Sequence, residues 1–165
     1  MEMNFIAISV ASIVPLAMGF VWYNPKVLGT AWLKSAGVTE ESMKGANMGL
    51  IFGLSFLFSI MLAFTLQPMV IHQFGLFSML ENQPGMHDNP ITNTDFLTMM
   101  AKYGTNFRTV KHGILHGVLL GVFFVLPVLG TNALFERKGF KYIFINVGYW
   151  TLSFAIMGAI LSAWI

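Results

Sequence analysis

Residues 113–131 read GILHGVLLGVFFVLPVLGT, a stretch with no charged side chain and one ionisable one, His116. As a helix rising 1.5 Å per residue it covers roughly 28 Å, about the hydrocarbon thickness of a bilayer. Three stretches of the same kind, 3–22, 49–67 and 142–165, lie on either side of it. Four such runs in 165 residues predict an all-α, polytopic membrane protein. The expected organisation is a single four-span domain over 1–165, with transmembrane helices at about 3–22, 46–68, 110–134 and 142–165. Short amphipathic interfacial helices and a long polar loop at about 81–108 complete it.

The composition agrees. Apolar residues make up 56% and charged residues 10%, where a soluble domain carries about 25% charged residues to cover its surface. Mean hydropathy is +0.70. A net charge of +2 without a Lys/Arg cluster gives no footing for nucleic acid, so the lipid bilayer is the expected surrounding partner. With no cysteine, disulfides and thiolate metal sites are excluded. No basic segment precedes the first apolar run and no small-x-small cleavage site follows it, so 3–22 reads as a retained span.

Orientation follows from the basic residues. The loops after spans 1 and 3 share one side and hold Lys26, Lys34, Lys44, Arg137, Lys138 and Lys141. The central loop, on the other side, holds Lys102, Arg108 and Lys111. Six against three predicts both termini on the outer side.

Between the spans, turn chemistry marks the breaks. Trp22-Tyr23-Asn24-Pro25 ends span 1, with Trp22, Tyr23, Trp32 and Trp164 at interfacial positions where a ring is half apolar and half wet. Residues 27–36 form a short amphipathic segment stopped at Gly37. Thr39 caps a helix expected to run on into span 2. Gln67-Pro68 kinks or ends that span, leaving 69–80 as a tilted continuation or an interfacial segment. Pro84-Gly85 and Asn89-Pro90 mark turns; Asn93 or Thr94 caps a short helix through Tyr103, with Phe96, Met100 and Tyr103 on one face.

Glycine spacing is the clearest packing signal. Gly45, Gly49 and Gly53 at the start of span 2, and Gly113, Gly117 and Gly121 at the start of span 3, recur every four residues. Residues four apart share a helix face, and in lipid such grooves let helices approach closely. The two grooves lie in opposite leaflets, so each is expected to receive a different helix, from this chain or from a second copy.

His112 and His116, at i and i+4, share a helix face and form the sharpest chemical pair. Two histidines do not complete a metal site. Further ligands would come from His72, His87, Glu81, Asp88 or Asp95, and no spacing selects among them. The pair therefore stands as a candidate ligand or proton site beside a plainer reading, a neutral histidine hydrogen-bonded between helices. No catalytic, cofactor-binding or metal residue is assigned, and no cofactor is implied. Asn4, Asn47, Asn132 and Asn146 are further candidates for buried polar residues, with interhelical hydrogen bonding as the default role. No Gly-rich phosphate loop, nucleophile elbow or HExxH motif is present, so catalysis has little support.

Several of these residues together resemble a known family. They are Met3-Asn4-Phe5-Ile6-Ala7, Pro15, Gly19, Trp22-Tyr23-Asn24-Pro25 and Gly29-x-x-Trp32, then Phe135-Glu136-Arg137, Ile145-Asn146-x-Gly148-Tyr149 and Met157-Gly158-Ala159-Ile160. The chain resembles the bacterial membrane-protein family catalogued as domain of unknown function 1761. The resemblance implies four membrane helices and a bacterial inner-membrane location, and brings no activity, substrate or catalytic residue. The function expected is assembly, as a homo-oligomer or an accessory subunit of another membrane protein. The alternatives are a small transporter or channel with a polar path near His116, Asn132 and Asn146, or a metal-dependent membrane enzyme built on the histidine pair.

Overall fold

A computed structural model describes residues 3–87 and 92–165; Asp88 and the Asn89-Pro90 turn lie outside the described residues. Every element in it is helical. α1 (Phe5–Trp22), α4 (Met48–Val70), the third span Val110–Phe135 and α9 (Phe140–Ala163) are long and apolar enough to cross a membrane. The third span consists of α7 (Val110–Leu120), a π-turn over Gly121–Val125, and α8 (Leu126–Phe135). The π-turn lies just ahead of Pro127, which has no N–H to give and whose ring would crowd a regular preceding turn.

The short elements sit at the two ends of the bundle. Asn24 ends α1 and opens a π-turn, Pro25–Gly29, by accepting from Lys26 N at 2.9 Å. Only glycine fits at position 29, because a Cβ there would overlap the Tyr23 carbonyl. α2 (Thr30–Ala36) stops at Gly37, whose φ of 72° is left-handed.

Thr39 caps as expected, but the helix it starts, α3 (Glu40–Met43), does not run into span 2. Gly45 adopts φ 79° and Asn47 caps α4 afresh, accepting from Leu50 N at 3.0 Å. Local turn chemistry therefore overrides the apolar continuity. Asn47 is an exposed cap rather than a buried polar group, and Gly45 lies outside the helix whose groove it was expected to extend. The segment after Pro68 breaks at Ile71-His72 and resumes as α5 (Gln73–Leu80). α6 (Thr94–Tyr103) is capped by Asn93 and sets Phe96 against Phe77, ring centroids 6.0 Å apart.

α9 is the centre of the bundle: half of its apolar window is buried, against 17% for α4. α7 lies against it at backbone contact. A Cβ on Gly113 would overlap the Gly158 carbonyl, one on Gly117 the Phe154 carbonyl, and one on Gly121 the Thr151 side chain. The groove of span 3 is thus filled by the chain's own α9. Gly53 meets nothing within 4 Å, and Gly49 meets only Asn47 Oδ1 at 3.5 Å.

Asn4 and Gln67 tie the N-terminus of α1 to the end of α4. Asn4 N–H donates to Gln67 Oε1 at 3.2 Å and Gln67 Nε2 donates to Asn4 O at 3.4 Å. Asn4 Oδ1 also caps α1 through Ala7 N.

Candidate metal centre

Several of the residues that carry the family resemblance come together from opposite ends of the chain. Asn146 Oδ1 accepts from Tyr23 Oη at 3.1 Å and from Trp32 Nε1 at 3.2 Å, while its Nδ2 donates to Tyr142 O at 2.8 Å. Trp22 Nε1 donates to Ile145 O at 3.0 Å, and its ring lies over Gly148, where a Cβ would come within 3.1 Å. Tyr149 Oη donates to Pro15 O at 2.8 Å. Burial, with Tyr149 and Tyr142 beside it, pushes the Tyr23 hydroxyl well above its ordinary range, so it stays a neutral donor. This knot joins α1 and α2 to α9 and uses all of Asn146's side-chain atoms. Replacing Asn146 by leucine strips the acceptor from both rings. The expected cost is about 1–3 kcal/mol, visible as a lower thermal midpoint in detergent with the helical circular-dichroism spectrum unchanged.

At the other end of the bundle three histidines converge. Thr109 caps α7 by accepting from His112 N, which starts the helix so that His112 and His116 stand one above the other. His72 arrives from the break between α4 and α5. Its Nε2 shares a hydrogen bond with His116 Nε2 at 3.2 Å, the tautomers deciding which ring donates, and one ligand nitrogen from each of the three rings fits within 4.8 Å of the others. Ring centroids are 4.4 Å apart for His112–His116, 4.7 Å for His72–His112 and 5.1 Å for His72–His116. His112 Nε2 is sealed from solvent and has no hydrogen-bond partner. Three imidazoles gathered this closely, one of them with an orphaned buried nitrogen, leave polar valence that a cation between them would take up.

The geometry suits a late first-row metal. Zn–N bonds of about 2.0–2.1 Å in a tetrahedral site set ligand nitrogens about 3.3 Å apart; the His72–His116 pair is already there. Imidazole donors suit zinc, copper or nickel, and three of them leave a fourth coordination position open.

Phe107 stands over the cluster. Its ring centroid is 5.2 Å from His112 and 5.6 Å from His72. Its φ of 62° is left-handed, a conformation that costs a non-glycine residue on the order of 1–3 kcal/mol.

The other site residues fall elsewhere. Asn132 is exposed near the end of α8, sixteen residues and roughly 24 Å of helix from His116, and Asn146 sits in the knot at that far end. His116 thus stands at one end of the spans and Asn132 and Asn146 at the other, with the polar atoms of Asn146 taken up by Tyr23, Trp32 and Tyr142. Trp164 lies at the histidine end, where its carbonyl accepts from Arg108 Nη2. Glu81, His87 and Asp95 are exposed and do not join the cluster, and Asp88 lies outside the described residues. His72 was one of five alternatives in the sequence, and the spans' order alone puts it on the right side: the end of span 2 and the start of span 3 must share a membrane face.

Three apolar spans packed around a fourth, α9, define a multi-pass membrane protein of all-α architecture. The chain belongs to the family described as protein of unknown function DUF1761, whose model matches residues 6–162. No curated protein and no solved structure matches it.

Proposed function

We propose that this membrane protein binds a late first-row dication, of the zinc type, at His72, His112 and His116. The observation that carries the reading is the gathering of one ring nitrogen from each of three histidines within 4.8 Å, with His112 Nε2 buried and unpartnered beside them. Protein purified without a histidine tag and dialysed against Zn2+ is expected to retain one ion per chain, and Co2+ in its place to give tetrahedral d–d absorption bands. Retention of no stoichiometric ion ends the reading.

We infer further, from the six-to-three distribution of basic residues, that the chain sits in a bacterial inner membrane with both termini outside, so that the histidines face the outer side. The absence of native cysteine makes the test direct. Ser78→Cys, near the histidines, is expected to react with a membrane-impermeant maleimide on intact cells, and Glu136→Cys only after permeabilisation. The reverse pattern would invert the orientation.

A second reading, self-assembly, draws on α4. Gly49 and Gly53 have no helix against them, whereas Gly113, Gly117 and Gly121 are all taken. Small residues on an open face let a second copy or another membrane protein approach. Cross-linking through a Gly53→Cys variant in native membranes tests it, and an absence of dimer above the level of a lipid-facing control removes it.

A further inference from the structure

We propose that Phe107 is the gate of the histidine site and that the C-terminal turn of α9 holds it shut. This rests on the metal reading above and concerns how an ion enters and leaves.

Ordinary packing does not explain Phe107. Its backbone is left-handed and the residue is 61% exposed, so burial of the ring does little to offset the strained conformation. What the conformation achieves is to set the ring against two of the three histidines. Besides Gln73 Nε2, which donates to Asn106 O at 3.0 Å, the contacts that hold it there come from the far end of the chain. Phe107 O accepts from Ser162 Oγ at 3.1 Å. Arg108 Nε donates to Ser162 O at 2.8 Å, and Arg108 Nη2 donates to Trp164 O. These bonds clip the turn before α7 to the last turn of α9. The bonds from Thr109 N to Phe107 O and from Gln73 Nε2 to Asn106 O tie the turn locally. Losing the α9 contacts removes what fastens residue 107 to the helix end, and the ring is then freer to leave the histidines. The turn is therefore a two-position element, clipped or released, of the kind that covers binding sites.

The burial pattern fits such a cover. His72 is the exposed member and His112 Nε2 the sealed one. An ion is picked up at His72 and completes its bonds to His112 when the ring moves.

The test is stopped-flow Zn2+ exchange on the full chain in nanodiscs, with release read by excess chromophoric chelator. Phe107→Gly removes the ring and suits the left-handed backbone; Arg108→Gln keeps the ring and weakens the clip. Both variants are expected to release and take up Zn2+ about ten-fold faster or more, with Kd within about three-fold of the parent. Parent-like rates in Phe107→Gly overturn the gate. Weakened affinity with unchanged uptake also overturns it, since the ring then belongs to the binding site. Fast exchange in Phe107→Gly with parent-like exchange in Arg108→Gln overturns the role of the α9 clip. If the parent protein holds no Zn2+, the metal reading falls and the gate with it. Normal binding with unaltered rates removes the gate alone.

Discussion

His116→Ala is expected to weaken Zn2+ binding on the order of 100-fold or more, about 2.7 kcal/mol at a minimum, because one of three protein–metal bonds is lost. His116 is the sharpest choice of the three. Its Nε2 is the nearest partner of His72 Nε2, at 3.2 Å, so its removal both deletes a ligand and leaves His72 unopposed. Fold disruption is a weak confounder, since Ile114 and Leu115 continue the helix and alanine has high helix propensity. Competition titration against a chelator of known affinity gives the number, and the thermal midpoint of the metal-free variant controls for folding. His87→Ala supplies the matched control. That residue is exposed and outside the cluster, so its affinity is expected to equal the parent's. Equal affinity for His116→Ala and the parent would place any bound ion elsewhere.

Gly117→Leu is expected to carry the largest structural effect. Its Cβ would overlap the Phe154 carbonyl and the Ala155 backbone, atoms that cannot rotate aside as a flexible side chain could. The two helices would have to separate along their whole contact, which Gly113 and Gly158 also form backbone to backbone. Over-packing in a close-packed interior costs about 1–3 kcal/mol when side chains can adjust; with backbone on the far side, about 3 kcal/mol or more is expected. For the monomer, Gly53→Leu is the counterpart, within about 0.5 kcal/mol of the parent, because position 53 faces open space within the chain. Unfolding by sodium dodecyl sulfate in mixed micelles reads both. A Gly117→Leu protein as stable as the parent would mean that α7 and α9 do not meet at backbone distance.

Much of the architecture was legible because lipid leaves a chain few options. Apolar length marks the four spans, Pro25 and Gly37 mark breaks, and Thr39 and Asn93 mark starts, all through local chemistry. Where the reading went astray, two local signals competed. Apolar text from 46 onward suggested one continuous helix from Thr39, and the left-handed Gly45 with the Asn47 cap divided it. The candidate site was half legible. The i, i+4 spacing of His112 and His116 is a property of one helix and can be seen in the sequence. His72 joins them across forty residues, through a break after Pro68 whose angle no local pattern specifies. Gln67 escaped notice for the same reason, since its partner Asn4 lies 63 residues away.

The break at Ile71-His72 has one more consequence. α4 is the least buried of the four spans, and its packing on the third span is slight. His72 reaches from its end to the beginning of α7, so a bound ion would act as a reversible cross-link closing the segment 72–112. Closing a loop of that length removes conformational freedom chiefly from the loosened states of the chain. Metal availability on the membrane face that carries the histidines would then set how firmly one wall of the bundle is fastened to the rest.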